Sequence, residues 1–272
     1  MRNLNFTRTI QLLLCSLCLF AAYGAYADAR EDGLQAFKQG KYDLALEYWT
    51  PLAQAGDREI QYNLGVMYNE GRGVEKDITK AINWLSEAAE QGDADAQFRL
   101  GKLYTTGEDI EQNLVVAERW IRQAADKDHG TACYYMAQFY THGKAVIKDN
   151  DIALRWYYRG AQNNNTASQY NLGYIHEKGL GVPKSLPEAF RWYDIAARRG
   201  AADAQANLGR LYYSGQGTQK DLILAYTWFQ LAAEQNISSA QKNARFAFKQ
   251  LNPVEQEQAL AMADEYKSQF LK

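Results

Sequence analysis

The stretch Gln61-Tyr62-Asn63-Leu64-Gly65-Val66-Met67-Tyr68, continued by Gly71-Arg72-Gly73-Val74, Asp77, Lys80-Ala81, Trp84 and Ala88-Ala89 through Gly92, decides the fold. In its first part Leu64 and Tyr68 stand at i, i+4 on one helical face, with Gly65 beside them. In its second part Ala81, Trp84, Leu85, Ala88 and Ala89 form another helical stripe. The link between the two carries glycines that can turn left-handed, and Asp77 is placed to cap the helix that follows. One unit is therefore a pair of helices.

The unit recurs. The six tryptophans, Trp49, Trp84, Trp120, Trp156, Trp192 and Trp228, are separated by one gap of 35 and four of 36. On the same period fall Gly65, Gly101, Gly173 and Gly209; Tyr68, Tyr104, Tyr140 and Tyr212; Gly71, Gly107, Gly143, Gly179 and Gly215; and Gln61, Gln97, Gln169, Gln205 and Gln241. Such a period marks stacked supersecondary units, none able to bury its apolar face alone. Glycine costs about 1 kcal/mol inside a helix, so four at one register predict a close helix crossing there. Burying about 200 Å² per indole at roughly 25 cal/mol/Å² is enough to explain the tryptophans as core between units.

These residues resemble the consensus of the Sel-one-like repeat (SLR) family, relatives of the tetratricopeptide repeats, over about Ile60 to Ser238. The resemblance implies an all-α fold, a right-handed α-solenoid of stacked antiparallel helix pairs. The expected repeats are 57–92, 93–128, 129–164, 165–200 and 201–236, after an opening helix pair at 33–56 and before a C-terminal cap at 237–272. Asn252-Pro253-Val254-Glu255 starts the capping helix, with a cap, Pro at the first position and an acid three later. Unit three departs most from the pattern, with Cys133 for Gln, Ala137 for Gly and Lys144-Ala145 in its loop; unit four has His176 for Tyr.

Upstream, Arg2 and Arg8 precede the apolar run Ile10–Ala22, and Ala25-Tyr26-Ala27 follows it, so residues 1–27 read as a cleaved secretory signal. Residues 28–272 then form one exported solenoid domain without stable membrane insertion, periplasmic in a two-membrane host. Of 272 residues, 30 are Lys or Arg and 32 Asp or Glu, for a formal charge of −2, which gives no surplus for binding nucleic acid. Two of the three cysteines leave with the signal, and Cys133 has no partner for an intramolecular disulfide.

No constellation carries chemistry. His129, His142 and His176 fall at different points of the repeat, so no metal site is expected, and no cofactor motif is present. Cys133 with His129 four positions earlier is the one Cys/His pair, and it reads as a packed thiol. Asp93, Asp95, Asp149 and Asp151 lie at helix starts, where carboxylates cap amides. The chain is read as no enzyme.

The tetratricopeptide resemblance implies that the first helix of each unit lines a concave wall that binds a protein or peptide partner. Its inward columns are Tyr62, Phe98, Tyr134, Tyr170 and Ala206; then Val66, Lys102, Gln138, Tyr174 and Arg210; then Asn69, Thr105, Thr141, Glu177 and Tyr213. The first column suits packing or an interface; the second favours an interface, because its chemistry changes from unit to unit. The resemblance implies an adaptor or scaffold, with an immunity protein blocking a toxic enzyme such as a secreted lipase as the alternative. Hydrolysis of a β-lactam or peptidoglycan fragment is the weaker alternative, because the cysteine pairs of such relatives are missing.

Overall fold

Short polar side chains start the helices. Asp57, Asp77, Asp93, Asp149, Asn165, Ser185 and Asp221 each accept from a backbone N–H of the first turn that follows. Gly71, Gly107, Gly143, Gly179 and Gly215 end helices in the left-handed conformation, with φ between 66° and 71°. Ala145 holds such a conformation, φ 60°, in the unit-three loop.

The computed structural model describes residues 26–271. The expected signal segment lies outside the described residues apart from Tyr26 and Ala27, which open the first helix. Among the described residues there are fourteen helices and no strand. They are α1 (26–38), α2 (Tyr42–Gln54), α3 (Arg58–Glu70), α4 (Ile78–Glu90), α5 (Ala94–Thr106), α6 (Leu114–Asp126) and α7 (Gly130–His142). The series continues with α8 (Asn150–Gln162), α9 (Thr166–Lys178), α10 (Leu186–Arg198), α11 (Ala202–Ser214), α12 (Leu222–Glu234), α13 (Ser238–Phe248) and α14 (Pro253–Phe270). Consecutive helices pair and stack in the manner of an α-solenoid from α2 to α5 and from α7 to α13. Two compact units divide the chain, one up to Trp120 and one from Ile121. The capping helix is α14, with the reciprocal box between Asn252 and Glu255.

The repeated columns have separate physical jobs. A Cβ on Gly65 would lie 2.6 Å from Leu85 Cγ, one on Gly173 2.6 Å from Tyr193 Cδ1, and one on Gly209 2.8 Å from Phe229 Cδ1. The glycines thus admit the residue after each tryptophan, and it is this residue that is fully enclosed: Leu85, Tyr193 and Phe229 are all buried. The glutamines tie a helix to the one before it. Gln61, Gln97, Gln169 and Gln205 donate Nε2 to the carbonyls of Ala53, Ala89, Ala161 and Ala197 at 2.9–3.1 Å. Cys133 keeps a weak version, its Sγ 3.6 Å from the Ala125 carbonyl.

The tryptophans differ from one another. Trp49, Trp192 and Trp228 are buried; Trp84, Trp120 and Trp156 are half-buried. Guanidinium groups of Arg119, Arg159 and Arg191 lie over the rings of Trp120, Trp156 and Trp192 at 5.3–5.4 Å. Trp120, Trp156 and Trp192 thus each carry an arginine over the ring.

Candidate functional site

The first helices present the three columns. In the unit up to Trp120, Tyr62 is half-buried and its hydroxyl accepts from Arg99 Nε at 3.1 Å; Arg99 also meets Glu70. Asn69 Oδ1 is buried without a partner. Asn69 and Lys102 come together in a cleft of about 320 Å³ that Arg99 and Asp109 also line, and Asp109 is held by Lys76 at 2.7 Å. Lys102 is exposed and makes no ion pair among the described residues. Val66 and Phe98 are half-buried, and Thr105 turns its hydroxyl back to the Gly101 carbonyl at 2.7 Å.

In the unit from Ile121, Tyr134 and Tyr170 are half-buried against Tyr157 and Tyr193, with ring centroids 6.3 and 5.8 Å apart. Both therefore have packing partners inside the stack. Gln138 is engaged on both sides, by Tyr157 Oη at 2.6 Å and His142 Nε2 at 2.9 Å, and Thr141 bonds back to Ala137. Tyr174 is 42% exposed. Tyr213 accepts from Gln250 at 2.6 Å.

Glu177 is the one carboxylate of this wall that is buried. Its Oε2 accepts from Arg210 at 2.6 Å and from the Tyr193 hydroxyl at 3.1 Å, and its Oε1 from Lys178 at 2.8 Å. Burial works against its charge, but the Lys178 bond, the Arg210 charge and the Tyr193 bond outweigh it and hold its pKa below the usual range. Burial and the Glu177 charge push the Tyr193 phenol up. Two columns that read as independent thus meet as one ion pair.

His176 is explained by its partner. Arg122 donates to the Tyr140 hydroxyl at 2.9 Å, and one period later Tyr158 stands where Arg122 did and pairs with His176 Nε2 at 2.7 Å. The bond survives with different groups. His129 caps α7, its Nδ1 accepting from the Ala132 N–H at 3.1 Å. Cys133 is buried, and burial pushes its thiol up to about 11. We expect native Cys133 to resist a disulfide reagent at neutral pH and to react once the chain is unfolded; rapid labelling of the native protein would contradict the packing described.

One more period of the three columns falls on Lys242, Phe246 and Lys249, all exposed on or at the end of α13. The periodic spacing alone locates them, but the family consensus ends before them, so sequence reasoning missed them.

The Sel1 repeat family model matches residues 59–93, 94–129, 130–165, 166–200 and 202–237. The chain belongs to the Sel1 repeat family. A Sel1 repeat protein from Oxalobacter formigenes is similar in structure, with a TM-score of 0.72 and 30% identity over 87% of this chain and 96% of that one. A protective antigen of uropathogenic Escherichia coli strains with the SLR fold has a TM-score of 0.57 and 26% identity, over 92% of this chain and 62% of its own. No curated protein matches the chain. The repeat is one that mediates protein–protein interaction. No helix among the described residues is long and apolar enough to cross a membrane.

Proposed function

We propose that this chain is a non-catalytic periplasmic scaffold that holds a protein or peptide partner on the concave wall made by its first helices. The observation that carries the reading is the second column. Lys102 and Tyr174 stand exposed at the same register two repeats apart, and each follows a glycine of the repeated column, Gly101 and Gly173. Positions that vary while their neighbours repeat are not needed for stacking, and aromatic and cationic groups are common interface anchors. Glu177 acts in this reading through Arg210, which it orients. The non-catalytic part is supported by the work that His129 and Cys133 already do as cap and packed thiol. The export part rests on residues 1–27.

The test is affinity capture from the native envelope with mass spectrometry, repeated with Lys102→Glu and Tyr174→Ala. Neither side chain supports the core, so partner recovery should fall while the melting temperature stays within about 2 °C. Arg210→Glu is the wrong probe, because it sets a second carboxylate against Glu177. Unchanged recovery with both variants would refute the wall as the binding surface.

A further inference from the structure

We infer that the exposed face of α13 is a docking surface for an acidic polypeptide segment with an apolar anchor. From Ser238 to Gln250 the chain carries Lys242, Arg245 and Lys249 and no Asp or Glu, although acids outnumber bases overall. All three cations are exposed, and none makes an ion pair among the described residues. Lys242 and Arg245 stand at i, i+3, and Arg245 and Lys249 at i, i+4, so the three cations line one stripe that runs to the C-cap of α13. A partner bearing carboxylates complements this stripe.

Phe246 sits among these charges, 50% exposed, with the Lys242 ammonium 5.8 Å from its ring centroid. An exposed aromatic ringed by cations has the composition of an interface anchor with a charged rim. In earlier repeats the register of Arg245 is Gly173 or Gly209, closed by the second helix of the pair, and that of Gln241 is Gln169 or Gln205, both buried. On α13 both registers are open, because α14 packs its Ala259 and Ala263 into the cluster that holds Ala240 and Ala244, on the other face of α13. The open stripe continues the wall of the proposed scaffold, and the inference rests on that reading. A polypeptide fits better than a nucleic acid or a lipid surface: three cations are few, the formal charge of −2 repels a long polyanion, and Phe246 asks for an apolar side chain.

The probe is a fluorescein-labelled amphipathic peptide with glutamates flanking leucines, titrated against the full protein by anisotropy at low and physiological salt. Binding should weaken with salt, and the triple variant Lys242→Glu, Arg245→Glu, Lys249→Glu should weaken it about tenfold or more. Phe246→Ala should weaken it without changing the salt dependence. Far-UV melting of each variant, with a Lys→Gln and Arg→Gln series alongside, separates lost binding from lost fold. The inference is overturned if the peptide does not bind, if a glutamine-for-glutamate peptide binds as well, or if single-stranded DNA or phosphatidylglycerol vesicles bind more tightly with the same dependence on the three cations. It is also overturned if an envelope partner is recovered equally by the triple variant, a result that leaves the scaffold reading standing. Failure of the wild-type chain to recover any partner would refute the scaffold reading itself.

Discussion

Trp228→Ala is expected to cost about 4 kcal/mol and to loosen α14 from its unit. Trp228 is fully buried, stacked on Phe270 at 5.7 Å and edge-on to Tyr266 at 5.2 Å, with the Arg198 guanidinium 5.8 Å from its ring centroid. Removing the indole opens a cavity and strips two α14 aromatics of their common partner. Trp156, half-buried under Arg159, should cost about half as much when truncated, since less apolar area leaves the interior. Urea unfolding followed by circular dichroism measures both losses, and hydrogen exchange of α14 shows whether that helix opens first. Equal losses for the two variants would contradict the difference in burial on which this ranking depends.

Gly65→Val should cost about 3 kcal/mol despite the better helix propensity of valine. The Cβ alone would lie 2.6 Å from Leu85 Cγ and 3.2 Å from the Leu85 backbone nitrogen. A branch carbon and a main-chain atom cannot swing aside as a flexible chain end can, so α3 and α4 must move apart or Leu85 must leave its rotamer. A double-mutant cycle reads the mechanism directly: Leu85→Ala should restore part of the loss in the Gly65→Val chain and be destabilising in the wild type. Additive losses would show that the glycine is there for another reason.

How far the molecule was legible depends on the range of the interaction. Caps such as Asp77 and Asp93, and left-handed ends such as Gly71, are local and were read from spacing alone. The helix pairs and the α14 start were legible for the same reason; the family match supports the pairs, and the box between Asn252 and Glu255 the start. The unequal burial of the tryptophans was not legible. Trp49 and Trp228 are covered by non-repeat helices, α1 and α14, through Phe37 and through Tyr266 and Phe270. The half-buried Trp120 and Trp156 instead have a long arginine over the exposed ring. A column gives register; it does not say what lies above it.

The candidate wall shows the same division. By itself the chain of residues determined that helices pair, where caps such as Asp77 and Gly71 start and end them, and which positions share a column, because backbone capping and helical periodicity act within a few residues. Tertiary structure alone decided which charges remain available. Glu177 and Arg210 lie 33 residues apart and neutralise each other across two helices, whereas Lys242, Arg245 and Lys249 make no ion pair among the described residues. Coulomb attraction at hydrogen-bond range depends on which side chains adjacent helices bring together, and no one-dimensional spacing contains that distance.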